Sequence, residues 1–124
     1  MDKRSVLILD DEQDILNTLQ RYFHRKDKVE LMIETNPLRA LETIKTGRVD
    51  LVLTDIMMPE MDGIEVLTKI KDYNSELPVI MMTAYSTIDR IIECEKLGAN
   101  DYVTKPFISL KDVESKVLDF LGVL

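Results

Sequence analysis

Five short apolar runs, each followed by a segment with helical spacing, constrain this chain more than any other feature. The runs are Val6–Leu9, Leu31–Ile33, Leu51–Leu53, Val79–Met82 and the shorter Tyr102–Val103. Unbroken apolar runs of this length suit strands covered on both faces. Between them, Ile15, Leu16, Leu19, Tyr22 and Phe23 share one face of a helix. Leu38, Leu41 and Ile44 repeat the pattern over about 37–46, and Ile64, Leu67 and Ile70 over about 63–73. Leu110, Val113, Val117 and Leu121 do so over about 109–121. Pro37 after Asn36 suits the first position of a helix. Gly98 suits the end of a helix that starts near Ser86.

Five strand-then-helix units predict an α/β fold: a doubly wound, five-stranded parallel sheet with helices on both faces and right-handed crossovers. The strand order expected is 2-1-3-4-5, in one domain spanning 1–124. A ligand then sits where the order reverses, at the carboxyl ends of strands one and three. Asp10, Asp11 and Glu12 follow strand one, and Asp55 ends strand three. Three aspartates should therefore meet at one crevice.

Two carboxylates about 4 Å apart repel by about 4 kcal/mol at an effective dielectric near 20. Either protons or a cation must relieve that repulsion. Oxygen donors favour Mg²⁺, Mn²⁺ or Ca²⁺, and without a twelve-residue calcium loop Mg²⁺ is the better match, with Mn²⁺ as the alternative. The plainer reading makes Asp10 and Asp11 a solvated turn before a helix. Thr83 ends strand four and Lys105 ends strand five, which adds a hydroxyl and a cation at the same edge. Alone, Thr83 reads as a turn residue and Lys105 as half of an ion pair. Together with the acids they supply the nucleophile, metal seat, donor and cation that phosphoryl transfer requires.

Composition narrows the classes. The net charge of −7 argues against a domain that binds nucleic acid through its backbone. Cys94, the one cysteine, excludes an internal disulfide and fits a reducing, cytoplasmic setting. No apolar run approaches the length of a membrane span. The run ending before Asp10 is too short for a signal-peptide core.

These residues resemble the receiver domain of two-component response regulators, including the single-domain chemotaxis-type and sporulation-type regulators. The resemblance covers the whole chain. It rests on Asp10-Asp11, the stretch Asp55-Ile56-Met57-Met58-Pro59-Glu60-Met61-Asp62-Gly63, Thr83-Ala84, and Tyr102-Val103-Thr104-Lys105-Pro106-Phe107. It implies a flavodoxin-like (βα)5 sandwich. It also implies that Asp55 accepts phosphate from a phosphohistidine of a sensor histidine kinase or phosphotransfer protein. Asp11 is implied to bind Mg²⁺ directly, Asp10 largely through water, and Asp55 and the Met57 carbonyl to complete the protein ligands. Thr83, Lys105 and backbone N–H groups near Met57 and Ala84 would hold the phosphoryl oxygens, and small Ala84 would leave room for the donor. Thr83 would then move toward the phosphoryl group and Tyr102 turn inward. The Lys105-Pro106 bond is often cis in the family.

The output face implied lies on helix four, strand five and helix five. Ile92 and Leu97 are expected to face the sheet, with Ile88 and Ile91 beside that stripe as an apolar patch or as a broader core face. The protein is expected to work as a monomer or a phosphorylation-dependent dimer. Its output protein or fused output domain is not specified, and the chain could be a piece of a longer regulator. Met57 and Tyr85 would flank the hydrolytic water and offer it neither amide nor acid, so slow autodephosphorylation is expected. Tyr102 by itself reads as a half-buried strand aromatic, His24 as a surface residue, Cys94 as packing and the methionines as core filler. Asp62-Gly63 reads as the loop that starts helix three.

Three other classes compete. A flavodoxin-like FMN carrier wants a Ser/Thr/Gly-rich phosphate cradle where this chain has Asp10-Asp11-Glu12. An aspartate-nucleophile phosphohydrolase wants a second acid where Met57 stands. A binding module that is never phosphorylated has no need of all five pocket side chains.

Overall fold

A computed structural model describes residues 3–84 and 89–123. Strands and helices alternate as β1 Arg4–Leu9, α1 Gln13–Phe23, β2 Val29–Glu34, α2 Pro37–Ile44 and β3 Leu51–Asp55. They continue as α3 Gly63–Tyr73, β4 Val79–Ala84, α4 Ile91–Lys96, β5 Asp101–Lys105 and α5 Leu110–Leu121. The strands form one parallel sheet in the order β2-β1-β3-β4-β5, as the alternation of apolar runs predicts.

Alternate residues of the inner strands feed two separate cores. Leu7, Leu9, Val52, Val79 and Met81 pack beneath α2, α3 and α4. Val6, Ile8, Leu51, Leu53, Ile80 and Met82 pack beneath α1 and α5. That double coverage is why these runs are apolar without a break. The edge strands differ. Leu31, Met32 and Ile33 of β2 are only half-buried, because β2 is paired on one side alone.

Local signals set the helix ends. The Asn36 side chain accepts from the N–H groups of Leu38 and Arg39, with Pro37 opening the helix behind it. Asp62 accepts from the Ile64 N–H at 2.8 Å and caps α3. Ser109 accepts from the Asp112 N–H and caps α5, and Gly122, at φ 70°, closes it.

Two helical faces depart from the spacing reading. In α2, Leu38 is 59% exposed, while Pro37 and Ala40 join Leu41 and Ile44 inside. In α4, Ile91 and Cys94 are buried, whereas Ile92 is 63% exposed and Leu97, just past the helix end, 37%. The expectation that Ile92 and Leu97 face the sheet is therefore corrected, and Ile91 belongs to the core rather than to an exposed patch. Neighbours on a helix point about 100° apart, so burying Ile91 and Cys94, three residues apart, turns Ile92 outward. The expected helix start at Ser86, and Tyr85 and Ile88, lie outside the described residues.

Candidate functional site

The carboxyl ends of β1, β3, β4 and β5 bring the expected side chains to one edge of the sheet. Asp10 immediately follows β1 and is wholly buried, and Asp55, the last residue of β3, is 5% exposed. Register explains the convergence: Asp55 lies beside Met82 of β4, and Ala84 beside Lys105 of β5.

Lys105 is the hub. Its Nζ lies 2.9 Å from Asp10 Oδ2, 3.3 Å from Asp55 Oδ2 and 3.3 Å from Glu12 Oε1. The other Asp10 oxygen, Oδ1, accepts from the Glu12 N–H at 2.8 Å. Asp55 Oδ1 lies 3.4 Å from the Met57 N–H. Asp10, Asp11, Glu12 and Asp55 each place a carboxylate oxygen within 4.8 Å of the others. Asp11, Glu12 and Asp55 line the cleft; Asp11 and Glu12 are exposed, while Asp55 and the neighbouring Asp10 are buried.

Burial and like charge shape the ionisation of this cluster. Burial, followed by the charge of Asp10, pushes the Asp55 carboxyl up to about 6. Burial also raises Asp10, although the Glu12 N–H and Lys105 pull the other way. For Lys105, burial alone would favour the neutral amine. The hydrogen bond that Lys105 donates to Asp10 and the charges of Asp55, Asp10 and Glu12 outweigh it, and the ammonium is held above its usual range.

The cleft above these groups measures about 430 Å³ and is lined by Asp11, Glu12, Ile15, Asp55, Met57, Ala84, Lys105 and Pro106. The Lys105-Pro106 bond is cis. Thr83 is fully buried at the end of β4, and its hydroxyl donates to the Ala84 carbonyl at 3.1 Å. Tyr102 is half-buried on β5 against the core beneath α2, α3 and α4. Lys116 of α5 donates to the Tyr102 carbonyl at 2.6 Å and stands 5.4 Å from its ring centre. Gly63, at the start of α3, approaches the end of β3 directly: its N–H donates to Ile56 O at 2.7 Å, and a Cβ there would collide with the Asp55 carbonyl oxygen. The glycine of the Asp62-Gly63 pair is thus required by the close approach of α3 to β3.

Sequence reasoning singled out Asp10, Asp11, Asp55, Thr83, Ala84 and Lys105, and all stand at this edge. It passed over Glu12 as a partner of Lys105, although its place beside Asp10-Asp11 was the available signal. Cys94 is buried and His24 is exposed, as their plainer readings had it; Met58 and Met61 pack against the core, whereas Met57, 53% exposed, departs from the reading of the methionines as core filler. Among the described residues, no helix is long and apolar enough to cross a membrane.

The model for the response regulator receiver domain matches residues 6–117. The transcriptional regulatory protein ZraR of Klebsiella oxytoca is 44% identical over 82% of this chain, which spans only 23% of that protein. Sporulation initiation phosphotransferase F of Bacillus subtilis (strain 168) is 36% identical over 98% of this chain and 96% of its own length. Among solved structures, the receiver domain of the Francisella response regulator 1452 superposes with a TM-score of 0.86 at 30% identity, covering 97% of this chain and 98% of that one. A CheY-like receiver domain protein from Methanospirillum hungatei JF-1 gives 0.89 at 26% identity, covering 98% and 95%.

Proposed function

The chain belongs to the response regulator receiver domain family, and on that premise we propose that Asp55 accepts a phosphoryl group in a magnesium-dependent step. The single observation that carries the reading is the shared ammonium: Lys105 reaches both Asp55 and Asp10 at the floor of an acid-lined cleft. In the transfer, a carboxylate oxygen of Asp55 forms the new bond to phosphorus as the phosphorus–nitrogen bond of a phosphohistidine breaks. Lys105 is placed to meet the negative charge on the phosphoryl oxygens.

The donor set suits a hard divalent cation. Four carboxylates converge within 4.8 Å, and two of them are buried where charge is costly. Asp10, Asp11, Asp55 and the Met57 carbonyl are the groups that would hold Mg²⁺, with Mn²⁺ as the alternative. Once bound, the ion supplies charge neutralisation for the acids and the phosphoryl oxygens.

Phosphorylation exchanges about one negative charge at Asp55 for nearly two, with new acceptor oxygens. Thr83, buried beside the site, and the backbone N–H groups of Met57 and Ala84 are the remaining donors proposed. The relay runs from Thr83 to Tyr102 and the α4–β5–α5 face. There Ile92, rather than the buried Ile91, offers exposed apolar surface. The partners proposed are a sensor histidine kinase or phosphotransfer protein, and an output protein or domain that recognises this face. The unit proposed is one receiver domain over 1–124, working in the cytoplasm as a monomer or a phosphorylation-dependent dimer.

Incubation with Mg²⁺ and acetyl phosphate tests the reading. A phosphoryl adduct mapped to Asp55, absent without Mg²⁺ and absent in Asp55→Asn, is expected. An unmodified protein, or an adduct elsewhere, would contradict it.

A further inference from the structure

Arg90 stands immediately before α4 and is absent from every role given above. Its guanidinium nevertheless crosses to the loop that follows the acceptor. Nη2 donates to Asp62 Oδ2 at 2.7 Å, and Nη1 lies 3.0 Å from the Met57 sulfur. Asp62 is itself fixed, because its other oxygen caps α3 through the Ile64 N–H. The loop is closed behind it by the Gly63 N–H on Ile56 O. One planar fork thus grips a rigid anchor with one arm and a flexible side chain with the other.

The flexible side chain is the one that matters to the acceptor. Met57 sits two residues after Asp55, lines the same cleft and is 53% exposed. An unbranched thioether at such a place samples many rotamers unless something holds it. We propose that Arg90 is a positioning residue: it locks Met57 across the rim of the acceptor cleft and so limits the approach of water to phosphorylated Asp55. The inference rests on the phosphoacceptor reading of Asp55.

The step it slows is hydrolysis of the acyl phosphate. Water oxygen bonds to phosphorus, the bond from phosphorus to the Asp55 oxygen breaks, Asp55 regains its carboxylate, and the water protons leave with inorganic phosphate and solvent. Met57 has no acid or amide with which to assist that water, so its contribution is steric.

The test follows loss of the phosphoryl group after loading with acetyl phosphate and Mg²⁺ and removal of the donor. Wild type, Arg90→Ala, Arg90→Lys, Met57→Ala and the Arg90→Ala/Met57→Ala double variant are compared, with thermal melting beside each decay. Arg90→Ala is expected to decay roughly two- to fivefold faster, the rate equivalent of a partly exposed ion pair. Its melting should stay close to wild type, which separates positioning from folding. Met57→Ala should decay faster too, and the double variant no faster than Met57→Ala alone, because both changes remove one barrier. Arg90→Lys keeps a charge for Asp62 but has no second arm, so it should decay within about twofold of Arg90→Ala. Decay of Arg90→Ala at the wild-type rate, or multiplied effects in the double variant, would overturn the proposal. A wild-type protein that takes no phosphoryl group on Asp55 would overturn the phosphoacceptor reading and this inference with it. A loaded wild type with an unaltered Arg90→Ala would overturn the inference alone.

Discussion

Lys105 Nζ stands 2.9 Å from Asp10 Oδ2, so the ammonium of the last strand is already committed to a wholly buried carboxylate at the end of the first. Asp55 shares that ammonium at a longer 3.3 Å. On the proposed phosphoacceptor reading, a phosphoryl group on Asp55 would compete with Asp10 for the same cation.

Removing the lysine should expose that dependence. Lys105→Met leaves two buried acids without their cation, and losing one partner of a buried pair costs about 3 kcal/mol. Thermal melting at pH 7 should fall accordingly. At pH 5 part of the loss should return, because Asp55, pushed up to about 6, takes up a proton there, and the raised Asp10 acts in the same direction. Equal losses at both pH values would contradict the assignment.

Stability without magnesium should depend on pH in a stated direction. Asp55 titrates near 3.8 when unfolded and at about 6 when folded. Between those values the folded state holds more protons, so stability falls as pH rises through the window and is level above it. At about 1.4 kcal/mol per pKa unit the decline is on the order of 3 kcal/mol. Asp10, also raised, acts in the same direction. The raised Lys105 contributes stability that is lost only when pH climbs through its own folded value. Urea unfolding from pH 4 to 7 measures the decline, and millimolar Mg²⁺ should diminish it.

Asp55→Asn should do more than abolish the adduct. It removes a buried negative charge beside Asp10, so in magnesium-free buffer at pH 7 the variant should melt higher than wild type. The gain in melting temperature on adding Mg²⁺ should shrink, because one ligand is lost. A variant that melts lower, with its magnesium response intact, would argue against a cation seat at Asp55.

Gly63→Ala probes the contact between α3 and the end of β3. The added Cβ meets the Asp55 carbonyl oxygen and the Ile56 backbone, neither of which is a flexible side-chain end. Overpacking of this kind costs about 1–3 kcal/mol. Urea unfolding should show that loss, and the loading rate of Asp55 should drop with it, because the strand end must shift. Wild-type stability and loading would show that α3 gives way instead.

The chain's own order determined the layers and the place of the site. Val6–Leu9, Leu51–Leu53 and Val79–Met82 are legible as strands because burial on both faces demands unbroken apolar residues, which is a local property. Asp10, Asp55, Thr83 and Lys105 are legible as neighbours because each lies within one residue of a strand's carboxyl end and parallel strands end together. Tertiary packing alone decided the rest. The phase of α4, which buries Ile91 and exposes Ile92, depends on how a short helix seats on β4 and β5. The division of Lys105 among Asp10, Asp55 and Glu12, and the reach of Arg90 to Met57 and Asp62, join residues 28 to 95 positions apart. Long charged side chains choose partners by where their heads arrive in space, and no local periodicity encodes that.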